Sequence, residues 1–167
     1  MVAGHALLGA CWLIAKTEGR AHDHAIVLAR RFGMVTLAVI VAVSAATSFL
    51  SHGYADRWLT FPGVLVAAPV PILVGISALL FWRALGRQAN HAPFALALVI
   101  FAFSFMGLGI SLYPFIIPPD VTIWAAAAPA DSQGFMLVGA GIMLPVIMGY
   151  TGGAYWVFRG KVGKGYH

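Results

Sequence analysis

Charge is what this chain has least of. Only 9% of its 167 residues are Asp, Glu, Lys or Arg, against roughly 25% in an ordinary soluble domain, and a soluble enzyme is excluded on that ground. Glu18, Asp23, Asp56, Asp120 and Asp131 are the whole acidic complement, and none lies inside an apolar run of spanning length. A proton relay or an ion-coupled route through this chain alone therefore has little to stand on. Cys11 is the single cysteine, so it makes no internal bridge, and a disulfide-stapled secreted domain is excluded. The formal net charge of +5 does not point to nucleic acid, because charge flanking membrane segments sets orientation. Internal repeats, low-complexity tracts and linkers are absent as well.

What is abundant is apolar sequence, 61% of the chain. Residues 32–50, 61–82, 93–115 and 134–158 are apolar stretches long enough to cross a hydrocarbon core of roughly 30 Å as helix. Residues 1–15 make only about 22 Å of helix, too short to span, and read as the tail of a cut span. A secretory signal is the competing reading of that start, but no Lys or Arg precedes the apolar stretch. The expected fold is all-α: a polytopic transmembrane helical bundle of four full spans and one truncated N-terminal span, forming a single domain over residues 1–167.

Lys16, Arg20, Arg30 and Arg31 precede the first full span, Arg83 and Arg87 lie between the second and third, and Arg159, Lys161 and Lys164 follow the last. Arg57 is the one basic residue in the other connections, and the positive-inside rule then puts the C-terminus in the cytoplasm. Trp12, Trp58, Trp82, Tyr113, Trp124 and Trp156 fall near span ends, as an interfacial belt requires. The 114–133 connection carries Pro114, Pro118 and Pro119, which preclude an uninterrupted helix. It should lie along the outer surface, with Ile116, Ile117, Val121, Ile123 and Trp124 against lipid or a partner.

Candidates for chemistry are few. His5 is the only imidazole at membrane depth and could ligate a haem iron, or simply hydrogen-bond to a neighbouring helix. Met34, Met106, Met136, Met143 and Met148 could each offer a sulfur ligand, although methionine more often serves packing. His22, Asp23 and His24 could bind a divalent metal or shuttle protons at the membrane surface, or form a solvated loop. Lys16-Thr17-Glu18-Gly19 reads as a helix end, with Lys16 snorkelling and Gly19 free to take a positive φ. Ser104, Gly107, Gly109 and Ser111, then Gly139, Gly141, Gly149, Gly152 and Gly153, put small residues along the last two spans, for close approach within the bundle or to another subunit. Pro69 and Pro71 should bend the second full span and Pro145 the last.

One family fits these residues. Ser111-Leu112-Tyr113-Pro114-Phe115-Ile116-Ile117-Pro118-Pro119, followed by Val121-Thr122-Ile123-Trp124-Ala125-Ala126, resembles a signature of subunit II of the cytochrome bd-type quinol oxidases, above all the cyanide-insensitive branch. Leu8-Gly9-Ala10-Cys11-Trp12-Leu13 with Lys16-Thr17-Glu18-Gly19 is similar to that subunit's mid-chain helix end. Gly134-Phe135-Met136-Leu137-Val138-Gly139, through Leu144-Pro145 to Tyr155-Trp156-Val157-Phe158-Arg159-Gly160-Lys161-Val162, is similar to its closing helix. The resemblance covers essentially the whole chain but only the C-terminal half of the family's subunit, and the other half is where the family places acidic residues linked to proton delivery.

The resemblance implies a non-catalytic subunit of a quinol:oxygen oxidoreductase in the aerobic respiratory chain of a bacterial cytoplasmic membrane. Its partner would be subunit I, which carries haem b, haem d and the quinol-oxidising loop. No catalytic residue transfers to a position in this chain and no metal ligand is expected in it, while its cofactor-binding residues stay unassigned. The alternatives are a small transporter or channel acting as a homodimer, favoured by the prolines within spans, and a membrane-anchored assembly factor.

Overall fold

Inside a bilayer the backbone has no water to bond to, so a spanning chain must satisfy its own N–H and C=O groups, and helices do so locally. The computed structural model, which describes residues 1–50, 61, 63–117 and 120–158, is built mainly of them. In chain order these are α1 (Val2–Lys16), α2 (Arg20–Leu50), α3 (Gly63–Ala67), α4 (Pro69–Gly86), α5 (Ala92–Leu112), β1 (Phe115–Ile117), β2 (Val121–Thr122) and α6 (Ala130–Val157). Among the described residues, four stretches are long and apolar enough to cross a membrane: Arg20–Thr47, Gly63–Gly86, Ala92–Leu112 and Ala130–Val157. At 15 residues, or about 22 Å, α1 falls short of the core thickness, as its sequence indicates. Arg57, Trp58, Pro118, Pro119, Arg159, Lys161 and Lys164 lie outside the described residues.

The chain falls into two units, one built on Met1–Ser111 and the other on Leu112–Gly160. In the first, α1 and α2 form the main helix pair. Leu7, Ala10, Cys11 and Ile14 recur at helical spacing on α1, and Ala25, Ile26 and Ala29 do so on α2; they meet Phe81 and Leu85 of α4 and Ala97 and Ile100 of α5 in one apolar core. Small residues let the backbones close in. A Cβ added at Gly4 would stand 2.7 Å from the Phe101 ring, and one at Gly33 would stand 3.1 Å from Phe81 and 3.4 Å from Trp82. At Gly109 the same test finds nothing within 4 Å, while Gly107 is buried and its carbonyl accepts the Ser111 hydroxyl at 2.9 Å.

Several boundaries differ from the hydropathy reading, each for a local reason. The first full helix begins at Arg20 rather than at residue 32, because Ala, Leu and Arg sustain a helix regardless of polarity. Its 31 residues make about 46 Å, enough for the charged first turns to stand beyond the hydrocarbon. At Pro69 the hydrogen-bond ladder is interrupted, because the ring leaves no N–H for the Leu65 carbonyl, but Ala68 keeps helical angles of φ −57° and ψ −34° and its N–H donates to the Val64 carbonyl at 2.9 Å, so the stretch Gly63–Gly86 stays helical up to the proline that opens α4. Helix α5 ends at Leu112, two residues ahead of Pro114, rather than at residue 115.

In the second unit the proline-bearing connection forms a small antiparallel hairpin, with Phe115 opposite Thr122 and Ile117 opposite Val121. Ile123 N–H donates to the Pro114 carbonyl at 2.9 Å, Ala125 N–H donates to Thr122 Oγ1 at 3.2 Å, and the Tyr113 and Trp124 rings meet edge-on at 6.0 Å. Helix α6 starts at Ala130, four residues before the expected 134, with Asp131 in its first turn, where an acidic side chain favours the helix dipole. Pro145 sits inside it.

Candidate functional site

The histidines and methionines singled out in the sequence do not assemble into a ligand set. His5 is exposed, and its Nδ1 lies 3.1 Å from the Met1 carbonyl of its own first turn. Met34, Met106, Met136, Met143 and Met148 are all more than half exposed, so none is buried as a packing residue. An axial haem site needs a His or Met held among apolar side chains, and this chain by itself places no such neighbours around these residues.

His22, Asp23 and His24 occupy the first turns of α2 rather than a loop, and a helix turns successive side chains by about 100° each. His22 consequently points inward while its two neighbours point out. The His22 side chain is 13% exposed against 73% for Asp23, with Nδ1 3.6 Å from Asp23 Oδ1. Among the described residues no three His, Cys, Asp or Glu side chains converge as metal ligands.

What the structure does assemble is a polar cleft of about 230 Å3, lined by Thr17, Glu18, Gly19, His22, Gln88 and Asn90. Two connections make it. The first is the tight turn from α1 to α2: Thr17 Oγ1 and N–H both donate to the Leu13 carbonyl, at 2.7 and 2.9 Å, and Gly19 reverses the chain at φ 66°. Only the absence of a Cβ makes that φ inexpensive. The second is the exit from α4, where Ala89 N–H donates to the Ala84 carbonyl at 3.1 Å and Gln88 N–H to the Leu85 carbonyl at 3.3 Å. This is the six-to-one and five-to-two pattern of a Schellman motif, and Gln88 holds its left-handed position at φ 51°.

Beside the cleft, Lys16 Nζ lies 5.1 Å over the Trp12 ring, and Trp12 meets Phe94 at 5.3 Å. His22 Nε2 is buried and has no hydrogen-bond partner in the described structure. The 17–19 and 88–90 segments thus share one end of this unit, which is the pairing the alternation of basic residues requires. The reading of residues singled out His22 and Glu18 but passed over Gln88 and Asn90, two neutral amides in a short connection with no pattern to mark them.

The signature segment around Pro114 supplies the exposed hairpin of the second unit, where Ile116, Ile117 and Trp124 are 57%, 62% and 65% exposed. Ile123 is likewise exposed and Val121 half-buried. In the same unit, a Cβ built at Gly139, Gly141, Gly149, Gly152 or Gly153 would meet nothing within 4 Å.

Compared with known proteins, the chain is matched by one family model, that of cytochrome bd terminal oxidase subunit II, over residues 1–158. No curated protein matches it.

Proposed function

Because the chain belongs to the cytochrome bd terminal oxidase subunit II family, we propose that it braces the haem-bearing subunit I of a quinol oxidase that passes electrons from quinol to oxygen in aerobic respiration. The match over 158 of 167 residues is the observation that carries this reading. In this reading haem b and haem d sit in the partner subunit, and the chemistry is the partner's. This chain contributes helices that bury little within themselves. Val41, Phe105 and Leu79 are 67%, 77% and 70% exposed, and such faces are satisfied by lipid or by another subunit's helices. The basic connections, and with them the C-terminus, would face the cytoplasm of a bacterial cell, by the positive-inside rule.

The test is to tag the C-terminus, purify the chain in mild detergent from its native membranes, and record a reduced-minus-oxidised spectrum beside a gel. A larger second subunit with b- and d-type haem bands is the expected result. A chain that emerges alone and colourless overturns the bracing role.

A further inference from the structure

An arginine without a counter-ion is costly where hydrocarbon begins, because its charge does not titrate away. Arg30 lies inside the candidate span Arg20–Thr47 and Arg83 inside Gly63–Gly86. Both are exposed, and neither forms an ion pair among the described residues. Helix α4 carries no acid at all, and the one acid of α2, Asp23, stands seven residues and about 10 Å before Arg30, with Oδ1 3.6 Å from His22 Nδ1.

Packing brings the two arginines to one place. Thr17, Gly19 and His22 share a cleft with Gln88 and Asn90, so the start of α2 lies beside the end of α4 and the two helices run antiparallel. They meet at Gly33, where an added Cβ would stand 3.1 Å from Phe81 and 3.4 Å from Trp82. Arg30 comes three residues before Gly33 and Arg83 one after Trp82, which sets both within about 4.5 Å of that level, toward the same end of the unit. Ala29 and Phe81 belong to the core that α1 and α5 complete. At about 100° per residue, Arg30 is turned about 100° from Ala29 and Arg83 about 100° from Trp82, in each case away from that core. Two guanidiniums therefore share the outer side of the seam between α2 and α4.

Beyond them the same side of the seam is apolar. Met34 and Val41 follow Arg30 by four and eleven residues, Leu79 and Ile72 precede Arg83 by the same intervals, and all four are more than half exposed. Those spacings keep each row in line with its arginine. The result is a groove with two positive charges at its mouth and oily walls along its length, and like charges brought together repel unless an anion bridges them.

We propose that this groove binds an anionic phospholipid, with its phosphate between Arg30 and Arg83 and an acyl chain along Met34, Val41, Leu79 and Ile72. The guanidinium fork matches phosphate oxygens. A zwitterionic lipid brings a cation of its own to the two already there, so the site prefers phosphatidylglycerol to phosphatidylcholine or phosphatidylethanolamine. A partner's helix would cover the apolar rows but answer the arginines only with an acid at membrane depth, where acids are rare.

The experiment is native mass spectrometry of the full chain, delipidated in detergent and offered the three lipids with identical acyl chains. Phosphatidylglycerol should be retained about 25-fold better than the other two, the product of about fivefold for each of two arginines. R30Q and R83Q should each lose about fivefold of that preference. R31Q removes the same charge from the same helix, but one residue further round and away from the seam, and should lose less than about twofold. All three side chains are exposed, so none of the substitutions opens the core. Equal retention of the three lipids overturns the proposal. So do equal losses in R30Q and R31Q, which would mean a diffuse attraction, and displacement of the lipid by soluble glycerol phosphate at equal concentration, which would mean a free phosphate site.

Discussion

Gly4 and Gly9 lie on the same helix, and they separate the steric demand of helix packing from helix propensity. A Cβ at Gly4 would stand 2.7 and 2.9 Å from two atoms of the Phe101 ring, whereas one at Gly9 would meet nothing within 4 Å. Ordinary contact begins at 3.4 Å, so the Gly4→Ala variant must displace the ring by 0.7 Å, the difference between 3.4 and 2.7. Overpacking of this kind costs about 1–3 kcal/mol. The gain from replacing a helical glycine by alanine, about 0.8–1 kcal/mol, is common to both sites and cancels in the comparison. Gly4→Ala should therefore be less stable than Gly9→Ala by about 1–3 kcal/mol. Adding Phe101→Leu should recover part of that loss through a coupling of about 1 kcal/mol. Reversible unfolding in mixed micelles of increasing dodecyl sulfate content, followed by circular dichroism and tryptophan fluorescence, reads these three variants and Phe101→Leu alone, which the coupling requires. Two single variants that agree within about 0.5 kcal/mol would refute the packing of α1 on α5 through Gly4.

Gly19→Ala should destabilise the chain by about 1–2 kcal/mol and Gly19→Asn by less, because the turn needs a φ of 66° that asparagine tolerates better; equal and negligible losses in the same unfolding assay would count against the turn. Phe81→Ala, at a side chain with no exposure, should cost toward the lower end of about 3–5 kcal/mol, since lipid rather than water is the competing environment. Phe105→Ala, at a side chain 77% exposed, should cost far less, and comparable losses at the two sites would place the core wrongly.

The spans were legible because hydropathy is dense in them and four apolar stretches are hard to misread. Their ends were less so. Helix α2 continues through Arg31, Arg30 and His24 on backbone hydrogen bonds that polarity does not interrupt, so a reading keyed to apolar runs starts it late. Pro69 was legible as an interruption of its span, since its ring removes one N–H from the ladder while Ala68 before it keeps a helical backbone. The small residues of the last two spans stood out by number, yet the close approaches lie at Gly4 and Gly33, whose ring partners are some fifty to a hundred residues away in the chain. The cleft was invisible for the same reason. Half of it comes from Thr17 to His22 and half from Gln88 and Asn90, and the φ of Gln88 leaves no trace in composition.

Pro145, inside α6, has no N–H to give the Gly141 carbonyl one turn earlier. Near the middle of a 28-residue helix, that carbonyl sits at the depth where hydrocarbon is driest, and glycine has no side chain to screen it. An outward dipole is therefore carried by main chain in a stretch whose side chains are wholly oily. Whatever helix, water or hydroxyl comes alongside meets an acceptor there that no substitution at position 141 would remove, because it belongs to the peptide and not to the residue's identity.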